Sequence, residues 1–476
     1  MHISSLPGDF GIGTLGDNAR KFVDFLKKGR FSCWQILPVN ELDEYNSPYK
    51  SPSAFAGNPH LIDLEELAFR GLLTFEELSE ARQKSPYLCE FDFLRKTRIG
   101  VLKKAFLRID KSTKCEVEEF CAENLWVSEY ATFRALKEMN GEVAWQEWKT
   151  LVPDETKVDF YCFLQYEFFR QWMKLKEYAN SKGIEIIGDM PIYVASDSAD
   201  VYFNKKLFNL DENGEALESA GVPPDYFAAE GQAWGNPLYN WDEHKKDNYA
   251  WWTNRIGHSL KMFDKVRIDH FRAFAEYFAI PKGSSPVAGQ WKVGPGIDFF
   301  NKLKKSLPNP GIIAEDLGVI DSKVVDLLAA TDFPGMRVMQ FGFISDENNP
   351  HLPHNYMDNS VAYTGTHDNN TLLGWLWELT LKQREYALKY CGFYGDNWGD
   401  GGYQAEALRA IIRTMYQSSA GLVILPIQDL CGFGRDTRVN TPGTMDGNWE
   451  YRITWDQLSN IDIDWFARMN GLYKRI

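Results

Sequence analysis

The chain has 476 residues, 44% of them hydrophobic and 14% aromatic, which suffices for one large barrel with insertions or for two to three ordinary domains. Lys plus Arg is 52 and Asp plus Glu is 66, so the formal net charge of −14 argues against nucleic acid or an anionic membrane as partner and for a neutral substrate. No apolar run approaches the ~18–20 residues needed to span a membrane, the first 30 residues do not read as a secretory signal, and the seven scattered cysteines form no CxxC pair, so reduced thiols in the cytoplasm are expected rather than a zinc site or a disulfide framework.

In chain order, Met1-His2-Ile3-Ser4-Ser5-Leu6-Pro7 reads as the tail of a strand and its loop. Gly11-Ile12-Gly13-Thr14-Leu15-Gly16 matches the dinucleotide fingerprint, but only ten residues precede it, Pro7 among them. The fingerprint needs a full strand there, so a turn into a helix over 17–28 is predicted instead. A strand-like run follows at Cys33-Trp34-Gln35-Ile36-Leu37-Pro38-Val39. Residues 65–150, charged and helical in pattern, read as a helical insert. Phe160, Leu164, Phe168, Trp172 and Leu175 predict one face of a helix over 157–181, packed on strands.

The next strand-like run is Ile184-Glu185-Ile186-Ile187-Gly188-Asp189. Residues 196–241, rich in Gly, Pro, Asn and Asp, read as an insert forming a lid, with 221–240 as the part that closes. Further runs end at Asp269, Glu315, Phe341 and Asp368, and the last, Leu422-Val423-Ile424-Leu425-Pro426-Ile427, follows an amphipathic helix over 404–417. Nearly continuous apolar runs alternating with helices predict an α/β fold with a buried parallel sheet. Seven strands are counted where a closed barrel has eight, so the eighth is expected first: either a short strand, or a true beginning upstream of Met1.

Three acidic residues sit where apolar runs stop: Asp269 in Lys265-Val266-Arg267-Ile268-Asp269-His270, Glu315 in Gly311-Ile312-Ile313-Ala314-Glu315, and Asp368 in Val361-Ala362-Tyr363-Thr364-Gly365-Thr366-His367-Asp368. A carboxyl at the tip of a buried parallel strand is costly for stability but well placed for chemistry. Adjacent strands lie ~4.8 Å apart, and retaining glycosidases hold nucleophile and acid ~5 Å apart, so Asp269 and Glu315 on consecutive strands predict a retaining glycosidic centre. Asp368, two strands on, is expected to hold ring hydroxyls. Arg267 lies two residues before Asp269, which on a strand points both side chains the same way and keeps the carboxylate ionised; a purely structural ion pair is the alternative. His270 and His367 adjoin the carboxylates and suit sugar hydroxyls better than a metal, since no metal-type histidine spacing occurs.

Longer motifs carry a resemblance. Ser5-Leu6-Pro7-Gly8, Ser47-Pro48-Tyr49, Ser53-Ala54-Phe55-Ala56-Gly57-Asn58-Pro59, Gly188-Asp189-Met190-Pro191-Ile192, Gly221-Val222-Pro223-Pro224-Asp225-Tyr226-Phe227, Trp234-Gly235-Asn236-Pro237-Leu238-Tyr239, Ala314-Glu315-Asp316-Leu317-Gly318, Gly365-Thr366-His367-Asp368-Asn369, Arg438-Val439-Asn440-Thr441-Pro442-Gly443 and Gly447-Asn448-Trp449 occur in that order. With them, essentially the whole chain resembles the 4-α-glucanotransferases (amylomaltases, disproportionating enzymes) of glycoside hydrolase family seventy-seven. Family members usually carry one more short apolar segment before the His-x-x-Ser-Leu-Pro stretch, a point on which this chain departs.

The resemblance implies a (β/α)8 TIM barrel spanning 1–476 with inserted subdomains and no C-terminal β-sandwich. It implies α-1,4-glucans as donors and acceptors and no metal or organic cofactor. Asp269 is then the nucleophile, Glu315 the acid/base and Asp368 the third carboxylate. Arg267, His367 and Asp189 are implied to contact the same sugar, with Tyr49 stacked on it and Trp234 and Asn236 on the acceptor side. The rivals are an amylase-type hydrolase and a glucan-binding barrel with impaired catalysis.

Overall fold

The computed structural model describes all residues except 84, 225–229, 319 and 476. Among the described residues, eleven strands occur in chain order: β1 Cys33–Gln35, β2 Glu185–Met190, β3 Glu218–Val222, β4 Gln232–Pro237, β5 Lys265–Ile268, β6 Glu276–Pro281, β7 Gln290–Val293, β8 Ile312–Ala314, β9 Gly335–Val338, β10 Ser360–Tyr363 and β11 Leu422–Ile424. Seven of them form one all-parallel sheet in the order β1-β2-β5-β8-β9-β10-β11, with α-helices between successive strands except β9 and β10, which are joined through two short 3-10 segments. These are the seven strand-like runs, and they form a near-closed barrel. Strands β8 and β10 are buried along their whole length, as parallel strands covered on both faces are.

The sheet ends are β1 and β11, and both are only partly buried. Between them lies a cavity of about 180 Å³ lined by Cys33, Gln35, Leu422 and Ile424 together with Met1. No eighth barrel strand occurs among the described residues. Residues Ile3–Ser5 form a 3-10 turn, and the Trp34 indole donates to the Met1 carbonyl at 2.7 Å. The glycine run at 11–16 follows this turn, and Gly16 caps the helix Asp17–Lys28. The residues directly before it form that turn rather than a strand, which does not fit the dinucleotide reading.

The long helix Glu155–Ser181 buries the predicted stripe of Phe160, Leu164, Phe168, Trp172 and Leu175. Its N-terminus is capped by Asp154, which accepts from Lys157 N at 3.2 Å and satisfies one of the free N–H groups there. Beside the future site, Gly188 in β2 lies so close to Phe263 that a Cβ would stand 2.1 Å from the ring, so the strand can pack at this point only as glycine. The helices Leu64–Phe69, Phe75–Glu80, Phe91–Phe106, Lys111–Glu123 and Leu125–Met139 occupy the stretch read as a helical insert.

A second sheet, antiparallel in the order β4-β3-β6-β7, was not expected. It ties the 196–241 insert to residues 276–293: Gly221 pairs with Phe278 and with Ala233. Part of the Gly221-to-Phe227 motif and of the 221–240 lid lies outside the described residues. No described helix is long and apolar enough to cross a membrane.

Candidate active site

Parallel pairing fixes the first relationship. Ile268 of β5 is in register with Ala314 of β8, so Asp269 and Glu315 follow at neighbouring strand tips. Two main-chain bonds stitch the tips together: Glu315 N donates to Ile268 O and Phe271 N to Glu315 O, each at 3.0 Å. Strand β9 separates β8 from β10, and the loop after β10 carries His367 and Asp368.

The Glu315 carboxyl is buried. It accepts from His270 N and Leu317 N, both at 2.7 Å. Burial, helped by the nearby Asp269 charge, pushes its pKa from 4.5 up to about 7, despite Arg267 and the two N–H groups pulling the other way. A carboxyl of this kind keeps its proton near neutral pH, as a general acid must. Asp269 is more open, with a side chain 30% exposed, and accepts from Arg267 Nη2 at 2.8 Å. The same guanidinium grips both oxygens of the buried Asp189 at 2.8 and 2.7 Å. Tyr49 donates its hydroxyl to Asp189 at 2.8 Å. One cation thus orders two carboxylates, with the Tyr49 phenol fixing the inner one.

His270 has a left-handed backbone, φ 56° and ψ 48°, unusual for a residue with a Cβ. That turn aims its N–H at Glu315. Burial lowers its ring pKa to about 4, so the imidazole is neutral, and its Nε2 is buried with no hydrogen-bond partner among the described residues. The ring stands edge-on to Trp234 of β4, with centroids 5.0 Å apart. On the far side, the Tyr49 ring stacks on His367 at 5.1 Å, and Trp449 leans against both. His367 Nε2 lies 3.3 Å from Asp368 Oδ1. Asp368 is exposed, and its carboxylate accepts from Asn440 Nδ2 at 2.6 Å, while Arg438 donates to its main-chain oxygen.

A carboxyl that is protonated near neutrality beside an ion-paired carboxylate, in a cleft rimmed by aromatic rings, suits glycosidic chemistry. Comparison with known proteins agrees. The family model described as 4-alpha-glucanotransferase, glycoside hydrolase family 77, matches residues 1–458. The chain belongs to this family. The 4-alpha-glucanotransferase of Synechocystis sp. is 43% identical, covering 98% of this chain and 94% of its own; that of Clostridium butyricum is 40% identical over the whole of both. Among solved structures, the amylomaltase from Streptococcus agalactiae in complex with acarbose superposes with a TM-score of 0.95 at 39% identity, covering 100% of this chain and 98% of that one. The amylomaltase of Corynebacterium glutamicum, at 19% identity and a TM-score of 0.82, covers 100% of this chain and 74% of its own and shares the fold.

Within the 4-alpha-glucanotransferase frame, the residues singled out from sequence fall into two groups. Asp269, Glu315, Arg267, Asp189, Tyr49, His367 and Asp368 form one connected cluster through the contacts above. Trp234 joins it through His270. Asn236 is buried on the same strand, but its amide donates to Val194 O at 2.8 Å, so it braces the β4 edge against the chain after β2. Tyr49 presents one face to His367 rather than standing free. Asn440, Arg438 and Trp449 were not given roles from sequence, although each lies inside a recognised motif; their contacts to Asp368, His367 and Tyr49 arise only from folding. No group of three or more His, Cys, Asp or Glu among the described residues is arranged to hold a metal ion.

Proposed function

We propose that this 4-alpha-glucanotransferase moves α-1,4-glucan segments by double displacement, with Asp269 as nucleophile and Glu315 as acid/base. The observation that carries this reading is the pairing of unlike carboxyls at adjacent strand tips: Asp269, partly open and hydrogen-bonded by Arg267, and Glu315, buried with its pKa pushed up to about 7. Asp269 attacks the anomeric carbon while the Glu315 proton passes to the glycosidic oxygen. The reducing-end fragment leaves with a free 4-hydroxyl, and the sugar remains as an ester on Asp269. The 4-hydroxyl of a second glucan then gives its proton to the Glu315 carboxylate as its oxygen attacks the anomeric carbon of the ester, which restores the α-linkage, releases Asp269 as a carboxylate and returns Glu315 to its protonated form.

Asp368, His367, Asp189 and Arg267 serve the sugar at the cleavage point, and His270 Nε2 offers a neutral partner to a hydroxyl. Trp234 and Tyr49 supply apolar faces, with Asn236 holding the strand that carries Trp234. Transfer outpaces hydrolysis where an acceptor glucan is positioned and water is kept out, the task assigned to the 221–240 lid and the second sheet. The inserts at 65–150 and 196–241 are read as subdomains of a single barrel. Seven free cysteines suit a reducing compartment, and we assign the enzyme to the cytoplasm; cell fractionation tests that.

Maltotriose tests the reaction. Transfer yields glucose and longer oligosaccharides at a constant number of reducing ends. A rising number identifies a hydrolase and overturns the reading, as does full activity in Asp269→Ala.

A further inference from the structure

Sixteen tryptophans occur in the chain, and among the described residues two are exposed, Trp291 and Trp377. Trp291 is covered on one side by Arg272, whose guanidinium carbon lies 3.9 Å from the ring centroid. Trp377, at 61% exposure, is open. An indole left in water is unfavourable, and the fold here holds it there firmly. Trp398 packs against it with ring centroids 4.8 Å apart and planes inclined by 55°. Arg384 lies 3.9 Å over Trp398, and its own Nη1 is tied to the carbonyls of Leu376 and Leu379, so the backing ring is itself fixed. The indole rests on the backbone at Gly399, where a Cβ would stand 2.7 Å from the Trp377 ring. The platform is thus ordered before any ligand arrives, which lowers the entropic cost of binding.

Its place is equally specific. Trp377 is on the helix Leu372–Glu378, which starts directly after the loop carrying His367 and Asp368. Five residues of helical rise, about 8 Å, separate Leu372 from Trp377. Arg435 pairs with Glu378 at 3.6 Å, and the same segment goes on to Arg438 and Asn440, which hold Asp368. The helix end that carries Trp377 is therefore linked, through Glu378 and Arg435, to the segment that holds Asp368.

We propose that Trp377 and Trp398 form a second α-1,4-glucan site, outside the cleft, that holds long chains near the catalytic centre. This rests on the transferase reading above. Aromatic faces stack on the CH faces of pyranoses. Two rings inclined to one another match a chain that turns from residue to residue, as an α-1,4-glucan does, better than a flat one. The net charge of −14 disfavours a polyanion as occupant. Holding one part of a long glucan raises the local concentration of its other segments at the cleft, whereas a trisaccharide is too short to engage both places.

The test uses Trp377→Ala, Trp398→Ala and Trp377→Phe in the full chain. Migration through native gels containing glycogen or amylose reports binding, and maltotriose and long amylose are compared as substrates. Trp377→Ala is expected to lose at least threefold of the gel retardation and to raise KM for amylose about fivefold at unchanged kcat/KM for maltotriose. Trp398→Ala follows the same pattern more weakly, and Trp377→Phe retains most of the retardation. Wild-type retardation and amylose KM in Trp377→Ala overturn the proposal. So does a change in sedimentation of that variant without a change in retardation, which identifies the pair as a protein contact. Absence of maltotriose disproportionation by the wild type, with retardation still dependent on Trp377, instead overturns the transferase reading and leaves the second site standing.

Discussion

The main-chain N–H of His270, the residue next to Asp269, donates to the carboxyl of Glu315 at 2.7 Å. The backbone that presents one carboxylate therefore also orients the other, and the left-handed conformation of His270 maintains that link. Glu315 is buried and pushed up to about 7, so its protonated form falls away as pH rises through neutrality. Bond breaking needs that proton. We expect kcat/KM for maltotriose to fall about tenfold per pH unit above a limb near pH 7. Glu315→Gln removes the limb and lowers the rate by about 10²–10⁴-fold. A pH–rate profile of both proteins checks this.

The same group makes stability depend on pH. Its pKa is near 4.5 when unfolded and about 7 when folded. Below pH 4.5 both states hold the proton. Between the two values the folded state keeps a proton that the unfolded chain has released, so stability falls as pH rises, and it levels off above pH 7. The accumulated loss is on the order of 3 kcal/mol. Glu315→Gln does not titrate. Whatever fixed cost its amide incurs by facing backbone N–H groups, its stability relative to wild type should improve from pH 5 to pH 8. Urea melts at the two pH values measure that difference, and a pH-independent difference contradicts the raised pKa.

Arg267 carries the charge balance of the cleft floor. Arg267→Ala leaves Asp189 buried without its cation, which costs about 3–5 kcal/mol. Arg267→Lys keeps a charge but cannot serve both carboxylates through one planar fork, so the protein should fold and lose about 10–100-fold in kcat. The double variant Asp189→Asn/Arg267→Met removes both charges and should recover most of the stability lost in Arg267→Ala, with no recovery of turnover. Chemical denaturation and maltotriose assays on the same preparations separate these effects.

The residues that were legible in the sequence share a cause. Asp269 and Glu315 each directly follow an apolar run, so burial pattern and charge change at the same position and their strand tips follow from the strand count, whereas Asp368 stands five residues beyond the end of β10, exposed on the loop that follows it. Their roles came from the family resemblance and from the spacing of adjacent strands. The second sheet was not legible, because β6 is joined to the insert through β3, more than fifty residues earlier, and the four residues of its other neighbour β7 are too few for periodicity to speak. Asn440 had no local signal either, since the Asp368 carboxylate it meets is 72 residues away in sequence. Glycine at 188 and the left-handed turn at His270 are likewise responses to neighbours that only folding supplies.

Asp429 offers a last case of action at one remove. It follows β11 on the short helix Ile427–Cys431 and is almost wholly buried. One oxygen accepts from Thr364 Oγ1 at 2.6 Å and the other from Leu372 N at 2.8 Å. These two partners bracket the loop that carries His367 and Asp368, so a single carboxyl pins both ends of it. In Asp429→Asn, the amide oxygen can still accept from Leu372 N, and the Thr364 hydroxyl can turn to accept from the amide, so kcat/KM should stay within about threefold of wild type. Asp429→Ala leaves both donors buried without an acceptor, at about 1–3 kcal/mol for each, and frees the loop. Its kcat should fall about 10–100-fold through misplacement of Asp368. Steady-state kinetics with melting curves on the two variants decide the matter: equal losses in Asn and Ala would mean that the negative charge of Asp429, and not its grip on the loop, is what the site requires.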